Sequence, residues 1–224
     1  MSQPLTEETE TREQQLLRQA RRAFEKHVVR SSNETHGRWL LQRPYGDGKG
    51  WSSTFAVEIL CLWGGQLFVG GDIDHVLFAY YSDNQRPRSR VRWMGQCRDF
   101  GYYVAQKARS GSGREITEEY DETDAKESLE HLYKTAQEEN WEEEILEDLK
   151  DVIDNMPSSR EELIQALWHD GNIPHDVLGD MEPLGMVLST RVYYAWAALE
   201  RLCNIWNEGE NAASGTAGNA ETVG

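Results

Sequence analysis

Two short stretches of the sequence collect the residue types that bind metal ions or transfer protons. Carboxylate oxygens and imidazole nitrogens are common metal ligands, so a metal-dependent enzyme is one function to consider. Neither stretch has the spacing of an HExxH motif or of an EF-hand loop. We therefore favour a turn between strands for the first, and a helix end followed by a loop for the second. The stretches are "GGDIDH", with Asp72, Asp74 and His75, and "WHDGNIPHDVLGD", with His169, Asp170, His175, Asp176 and Asp180.

Other signatures of catalysis are missing from the sequence. There is no GxGxxG or GxxxxGK[ST] phosphate loop and no GxSxG elbow. The three cysteines, Cys61, Cys97 and Cys203, are far apart and form no CxxC pair, which is typical of buried, reduced thiols. We expect no cofactor, no metal and no catalytic residue, and we lean towards a protein that is not an enzyme.

A row of arginines offers a different chemistry, the binding of anions. In "RPRSRVRWMGQCR" the basic residues alternate, and in a strand alternate side chains share one face. Three explanations remain open: a solvated or edge-protecting face, neutralisation by the acidic helices, and binding of phosphate or nucleic acid through the planar guanidinium fork. The candidate anion-binding residues are Arg86, Arg88, Arg90 and Arg92.

The opposite charge is concentrated further along the chain. The net charge is −16, but residues 1–114 carry +5 whereas residues 115–162 carry −15. Neighbouring acids on a helix lie about 5–6 Å apart, a spacing that could imitate a row of phosphates or simply form a solvated face. The candidate partner-binding residues are Glu138, Glu139, Glu142, Glu143, Glu147, Asp148 and Asp151.

The spacing of apolar residues and the turn signals along the chain predict an α+β fold. A helix is expected from about Thr11 to Val29, followed by an antiparallel sheet of about five strands over residues 36–95. Its fifth strand is "RSRVRWMG", and Gly64-Gly65 marks a hairpin. A helix follows in "CRDFGYYVAQKA", and the break "RSGSG" is the expected boundary between two parts of the protein.

The C-terminal half is expected to be all-helical and acidic. A helix over 141–156 carries its apolar residues on one stripe, Ser159-x-x-Glu162 and Asn140-x-x-Glu143 look like helix starts, and a long amphipathic helix follows Pro183. The expected domains are 1–110, with a helix, a β-meander and a second helix, then 115–207, the acidic helical region. Residues 208–224 form a low-complexity tail that we expect to be disordered.

The stretches "HGRWLLQRP", "GGQLFVGGDIDHVLFAYY" and "VRWMGQCRDFGYYVAQKA" carry a resemblance. Over about residues 36–110 the chain resembles small uncharacterised proteins encoded by bacteriophages and prophages. The resemblance implies a phage product that works in the bacterial cytoplasm, and it implies no residue roles. The missing signal peptide and the missing apolar run of about 18 residues agree with a cytoplasmic protein that has no membrane segment.

Together these features predict a phage-type interaction protein whose acidic helices bind a basic surface of a host protein, for example a nucleic-acid-binding or defence protein. Such an acidic surface would act as a nucleic-acid mimic in counter-defence. One alternative is a nucleic-acid- or nucleotide-binding module that uses the arginine strand, although the net charge opposes direct binding of nucleic acid. The other alternative is a metal-dependent enzyme built on the Asp/His clusters.

Overall fold

The computed structural model describes residues 10–79, 86–170 and 184–217. Contacts within the chain define two compact units, and unit 1 is made of two segments: Met1–Thr117 and Ser189–Gly224. Unit 2 is Glu118–Leu188. The sequence-based division at "RSGSG" differs from this in one important respect, because the last helix belongs with the N-terminal residues and not with the acidic helices.

The elements of unit 1 begin with a helix and five strands, continue with three helices, and end with the long C-terminal helix. In chain order they are α1 (Arg12–Phe24), β1 (Val28–Asn33), β2 (Arg38–Pro44), β3 (Trp51–Leu62), β4 (Gln66–Gly71), β5 (Asp74–Ala79), α2 (Pro87–Gly95), α3 (Ala105–Ser112), α4 (Arg114–Thr117) and α8 (Thr190–Ala217). A π-helical turn, Phe100–Val104, leads into α3.

The predicted α+β class and the antiparallel sheet of five strands are confirmed. The strands pair in sequence order, β1-β2-β3-β4-β5, and every pair is antiparallel. Alternate residues of β2 to β5 face the core, as a period of two requires. The innermost side chains of these strands, all at most 1% exposed, are Trp39, Leu41, Val57, Ile59, Leu67, Val69, Val76 and Phe78.

The membership of the sheet differs from the prediction at its first strand. The N-terminal helix begins at the Thr11 cap, where the Thr11 and Gln14 side chains form a capping box, but it ends at Phe24 and not near Val29. Residues 28–33 then form β1, which pairs with β2. The β-branched pair Val28-Val29 favours a strand, and its pairing with β2 supplies the hydrogen bonds that a longer helix would have made.

The predicted fifth strand, "RSRVRWMG", is wrong: this segment is the helix α2. Pro87 occupies the first turn, where its fixed φ favours a helix and its missing N–H costs nothing. The buried residues Arg90, Val91, Met94 and Gly95 lie at helical spacing and pack towards α8. A side chain on Gly95 would lie within 2.8 Å of the Leu199 backbone, so glycine permits the close approach of the two helices.

Unit 2 is not all-helical as predicted, because two short strands pair within it. Its elements are β6 (Glu118–Tyr120), α5 (Glu122–Glu138), α6 (Glu143–Asp154), α7 (Arg160–Gln165), a π-helical turn (Ala166–Asp170) and β7 (Met186–Leu188). The strand pair β6–β7 is antiparallel. Ser159 caps α7 as predicted, whereas Asn140 caps no helix and has a positive φ of 57° between α5 and α6.

The end of the chain also differs from the prediction. The long amphipathic helix starts at Thr190, since residues 186–188 are strand, and it continues to Ala217. The first ten residues of the predicted disordered tail, 208–217, are therefore helical. Residues 218–224 lie outside the described part of the chain.

Candidate functional site

The "GGDIDH" stretch forms the turn between β4 and β5. The Asp72 carboxylate accepts a hydrogen bond from the Ala56 amide at 2.9 Å, and Asp74 contacts both the His75 ring and the Arg191 guanidinium. These carboxylates have structural partners. Among the described residues, no group of three His, Cys, Asp or Glu side chains is suited to hold a metal ion. The side chains of His169, Asp170, His175, Asp176 and Asp180 lie outside the described part of the structure.

The four candidate arginines do not share one face, because they lie on a helix. Arg88 donates to Glu34 at 2.6 Å, and Arg92 donates to Glu210 at 2.5 Å. Arg90 is 9% exposed and donates to the Leu62 carbonyl at 3.2 Å. Arg86, which precedes the helix, is exposed. The premise of a four-arginine row on a strand is therefore wrong, and two of its members are held by carboxylates of unit 1.

A repeated arrangement on α8 holds two of these cations, Arg88 and Arg92, and it was not predicted from the sequence. Trp196 and Trp206 each precede a glutamate by four residues, so ring and carboxylate lie on the same side of the helix. We call Trp196 with Glu200, and Trp206 with Glu210, the two Trp–Glu pairs. The available signal was Trp-x-x-x-Glu occurring twice, ten residues apart, although the second glutamate falls in the segment that was expected to be disordered.

Each Trp–Glu pair binds two arginines. Arg21 and Arg98 lie over the Trp196 ring at 5.2 and 4.9 Å and contact Glu200 at 2.8 and 3.0 Å. Arg88 and Arg92 lie over the Trp206 ring at 4.9 and 5.9 Å and contact Glu210 at 3.7 and 2.5 Å. Each arginine thus combines a cation–π contact with an ion pair.

The buried titratable groups of unit 1 have structural surroundings. Burial raises the pKa of the Cys61 thiol to about 11 and that of the Cys203 thiol to about 12, so both stay protonated at neutral pH. His27 is 1% exposed, its Nε2 lies 3.0 Å from the Phe55 carbonyl oxygen, and burial lowers its pKa below 6.5. None of these groups is poised to act as a nucleophile.

The predicted partner-binding residues lie at the end of α5, in the turn that follows and along α6. Glu138 ends α5, Glu139 is its C-cap, and Glu142 is the N-cap of α6. The other four residues lie along α6, whose opposite face packs in the core of unit 2 through Ile145, Leu149, Val152 and Ile153. We call Glu138, Glu139, Glu142, Glu143, Glu147, Asp148 and Asp151 the acidic face; all are exposed except Asp148, which is half-buried.

Three members of the acidic face lie at helix ends where their charge is unfavourable for the helix that carries them. Glu138 and Glu139 lie at the negative end of α5, and Asp151 lies at the negative end of α6. Neither helix has a basic residue in its last turn. Carboxylates at this end oppose the helix dipole, and Glu143, Glu147 and Asp151 repel one another at a spacing of four residues. Glu138, Glu139 and Asp151 are therefore not placed for the stability of their own helices, whereas Glu142 and Glu143 lie at the positive end of α6, where negative charge is favourable.

Two members of the acidic face accept hydrogen bonds from neutral side chains. Glu139 accepts from the Trp141 indole at 2.9 Å, and Asp151 accepts from the Asn155 amide at 2.9 Å. Elsewhere in unit 2, burial raises the pKa of Tyr120, whose hydroxyl donates to the Pro157 carbonyl. By sequence, unit 2 holds 22 acidic and 4 basic residues, a net charge of −18, against +2 for unit 1.

No protein-family model matches the chain, and neither a curated protein nor a solved structure matches it. In the described residues, no helix is both long enough and apolar enough to cross a membrane. The class that the structure itself defines is an α+β protein, with a five-stranded antiparallel meander and helices in unit 1 and with an acidic, mainly helical unit 2.

Proposed function

We propose that this chain is a non-enzymatic interaction protein of phage type, whose acidic face binds a basic surface of a host protein. The observation that carries the proposal is the placement of Glu138, Glu139 and Asp151 at helix ends where negative charge costs stability. A protein keeps such charges when a partner compensates them, and a basic surface would do so.

The charges of unit 1 support the same proposal. Several of its arginines contact its own carboxylates, as in the two Trp–Glu pairs and in the ion pair between Arg38 and Glu58. Its net charge of +2 is small beside the −18 of unit 2. Unit 1 is thus close to electrically balanced, and a field strong enough to steer a basic partner would come from unit 2.

The kind of partner follows from the spacing of the charges. Successive acids on a helix face lie about 5–6 Å apart, close to the repeat of phosphates along a nucleic acid. A host protein that binds nucleic acid would present arginines and lysines at a matching spacing. The proposed setting is the bacterial cytoplasm, and the proposed role is counter-defence by nucleic-acid mimicry.

The test is affinity capture from a bacterial lysate treated with nuclease, followed by mass spectrometry. The face variant carries Glu142→Gln, Glu143→Gln, Glu147→Gln and Asp151→Asn. The control variant removes the same number of charges from exposed acids in the first half of α5, through Glu122→Gln, Asp124→Asn, Glu127→Gln and Glu130→Gln.

We expect the wild type and the control to capture the same host protein and the face variant to lose it. Equal capture by all three proteins would contradict the proposed site. Loss of every partner on nuclease treatment would favour the nucleic-acid-binding alternative instead.

A further inference from the structure

Trp63 is the most exposed large apolar residue of the described chain, with 99% of its surface open to solvent. It follows β3 in the turn Trp63-Gly64-Gly65, and both glycines have φ near 75°. The turn therefore requires glycine at 64 and 65, but it places no demand for an indole at 63. Exposing a large aromatic ring sacrifices the apolar burial that such a ring normally contributes, so the indole needs another explanation.

A cavity lies beside this ring, between the β1–β2 turn, the end of β3 and the start of α2. Its volume is about 360 Å³, which falls in the range of small-molecule sites. The wall includes Trp63, Leu62, His36 and Cys61, and Arg90 lies in the wall with only 9% of its surface exposed. Among the described residues of the lining there is no carboxylate.

The positions of the wall residues are fixed by hydrogen bonds. Arg90 donates from Nη1 to the Leu62 carbonyl, which keeps its guanidinium beside the residue that precedes Trp63. The His36 ring contacts the Asn33 side chain at 2.9 Å through Nδ1, so Nε2 is the ring nitrogen left to face a ligand. The Cys61 thiol donates to Pro87, the first residue of α2, and burial keeps it protonated. The cavity thus has a fixed cation in its wall and a flat ring at its opening.

We propose that this cavity binds a small planar anion, in which a flat ring stacks on Trp63 and an attached phosphate or carboxylate is held by the positive charge of Arg90. A guanidinium in a partly dehydrated wall attracts an anion more strongly than one in open water. The indole contributes stacking to any flat ring, whatever its substituents. A mononucleotide and an aromatic acid both have this chemistry. The proposed site is separate from the acidic face and does not depend on it.

The test uses the full chain labelled with ¹⁵N and follows the indole N–H resonance of Trp63, assigned as the peak that disappears in Trp63→Phe. The probes are 5′-AMP, which has a ring and a phosphate, and benzoate, which has a ring and a carboxylate. Adenosine and inorganic phosphate each supply only one of the two groups. Comparing the first two probes distinguishes a nucleotide from an aromatic acid as the source of the ligand.

We expect at least one of 5′-AMP and benzoate to shift the Trp63 resonance in a saturable way, with adenosine and inorganic phosphate binding more weakly. Trp63→Ala should weaken that binding about tenfold, since it removes the stacking surface. The matched control is Tyr102→Ala, which removes another exposed aromatic ring outside the cavity wall and should leave the affinity unchanged. Arg90→Gln removes the positive charge, and it should weaken the binding of the anionic probe while leaving adenosine unaffected.

Two results would overturn the proposal. One is the absence of any saturable shift with 5′-AMP or benzoate at millimolar concentration. The other is equal affinity of the wild type and Trp63→Ala for the probe that binds. Loss of host-protein capture in Trp63→Ala, together with no probe binding, would show instead that Trp63 is an anchor for a protein partner.

Discussion

Single residues of this protein carry charge in two contrasting environments. In unit 1, Arg21 lies over the Trp196 ring and contacts the mostly buried Glu200 carboxylate, so its positive charge has two favourable contacts. In unit 2, Glu147 lies on an exposed helix face between Glu143 and Asp151. The first arrangement contributes to folding, whereas the second costs stability, a cost that the proposed binding to a basic partner would offset.

The buried histidine His27 should make the stability of the protein depend on pH. Burial lowers its pKa in the folded state below the 6.5 of an exposed histidine, so the unfolded chain binds more protons than the folded one in that range. Stability is therefore complete above pH 6.5 and falls as the pH drops through the interval between the two pKa values. The slope in that interval approaches about 1.4 kcal/mol per pH unit for one such group.

The measurement is the free energy of unfolding by urea, from about pH 7.5 down to about pH 5.5. His27→Gln should flatten the decline, because a neutral amide does not titrate. If His27→Gln shows the same decline as the wild type, this account of His27 is wrong.

At the scale of elements, the two Trp–Glu pairs explain how α8 holds its neighbours. The pair at Trp196 and Glu200 joins α8 to α1 through Arg21 and to the segment after α2 through Arg98. The pair at Trp206 and Glu210 joins α8 to α2 itself through Arg88 and Arg92. The two pairs should differ in their contribution to stability, because the Glu200 side chain is 12% exposed and that of Glu210 is 54% exposed.

We expect Glu200→Gln to destabilise unit 1 by about 1–3 kcal/mol, since it leaves two arginines beside a partly buried neutral group. Glu210→Gln is the matched control, and because this exposed pair is screened by solvent it should cost less than about 1 kcal/mol. Urea unfolding of both variants at neutral pH measures the two losses in free energy of unfolding and shows which is larger. Equal losses would show that burial does not set the strength of these contacts.

The same elements show what could be predicted from the sequence. The alternation of apolar and polar residues in "WSSTFAVEILCLW" and the Gly64-Gly65 turn were sufficient to predict the β-meander, because both signals depend only on residues close in sequence. The stripe of apolar residues over 141–156 was sufficient to predict the helix α6. Alternation misled in α2, where arginines at every second position imitate a strand and only Pro87 indicates a helix start.

Long-range packing could not be predicted. The chain places α8 with α1 and α2 although more than 90 residues separate α2 from α8 in sequence, and the arginines that meet Trp196 and Trp206 come from three different segments. A single sequence indicates which residues are apolar or charged but not which of them meet. The acidic face could be predicted because its members are neighbours in sequence. The cavity beside Trp63 could not be predicted, because it forms only where α2 packs against the end of β3.

For the whole molecule, the division into units is also a division of charge. Unit 1 carries +2 and unit 2 carries −18, so the long-range field of the protein originates in the 71 residues of Glu118–Leu188. Such a field raises the rate at which a basic partner is encountered and is weakened by salt, since the Debye length falls from about 30 Å at 0.01 M to about 3 Å at 1 M.

The measurement that tests the central claim most directly is the affinity of the captured host protein for the wild type, the face variant and the α5 control, from low salt to about 1 M NaCl. We expect the wild type and the control to bind tightly at low salt, with affinities that fall steeply as the salt concentration rises. The face variant should bind at least about tenfold more weakly at low salt and show a shallower salt dependence, because four of the interacting charges are gone. A face variant with the affinity and salt dependence of the wild type would contradict the claim that the acidic face is the binding surface.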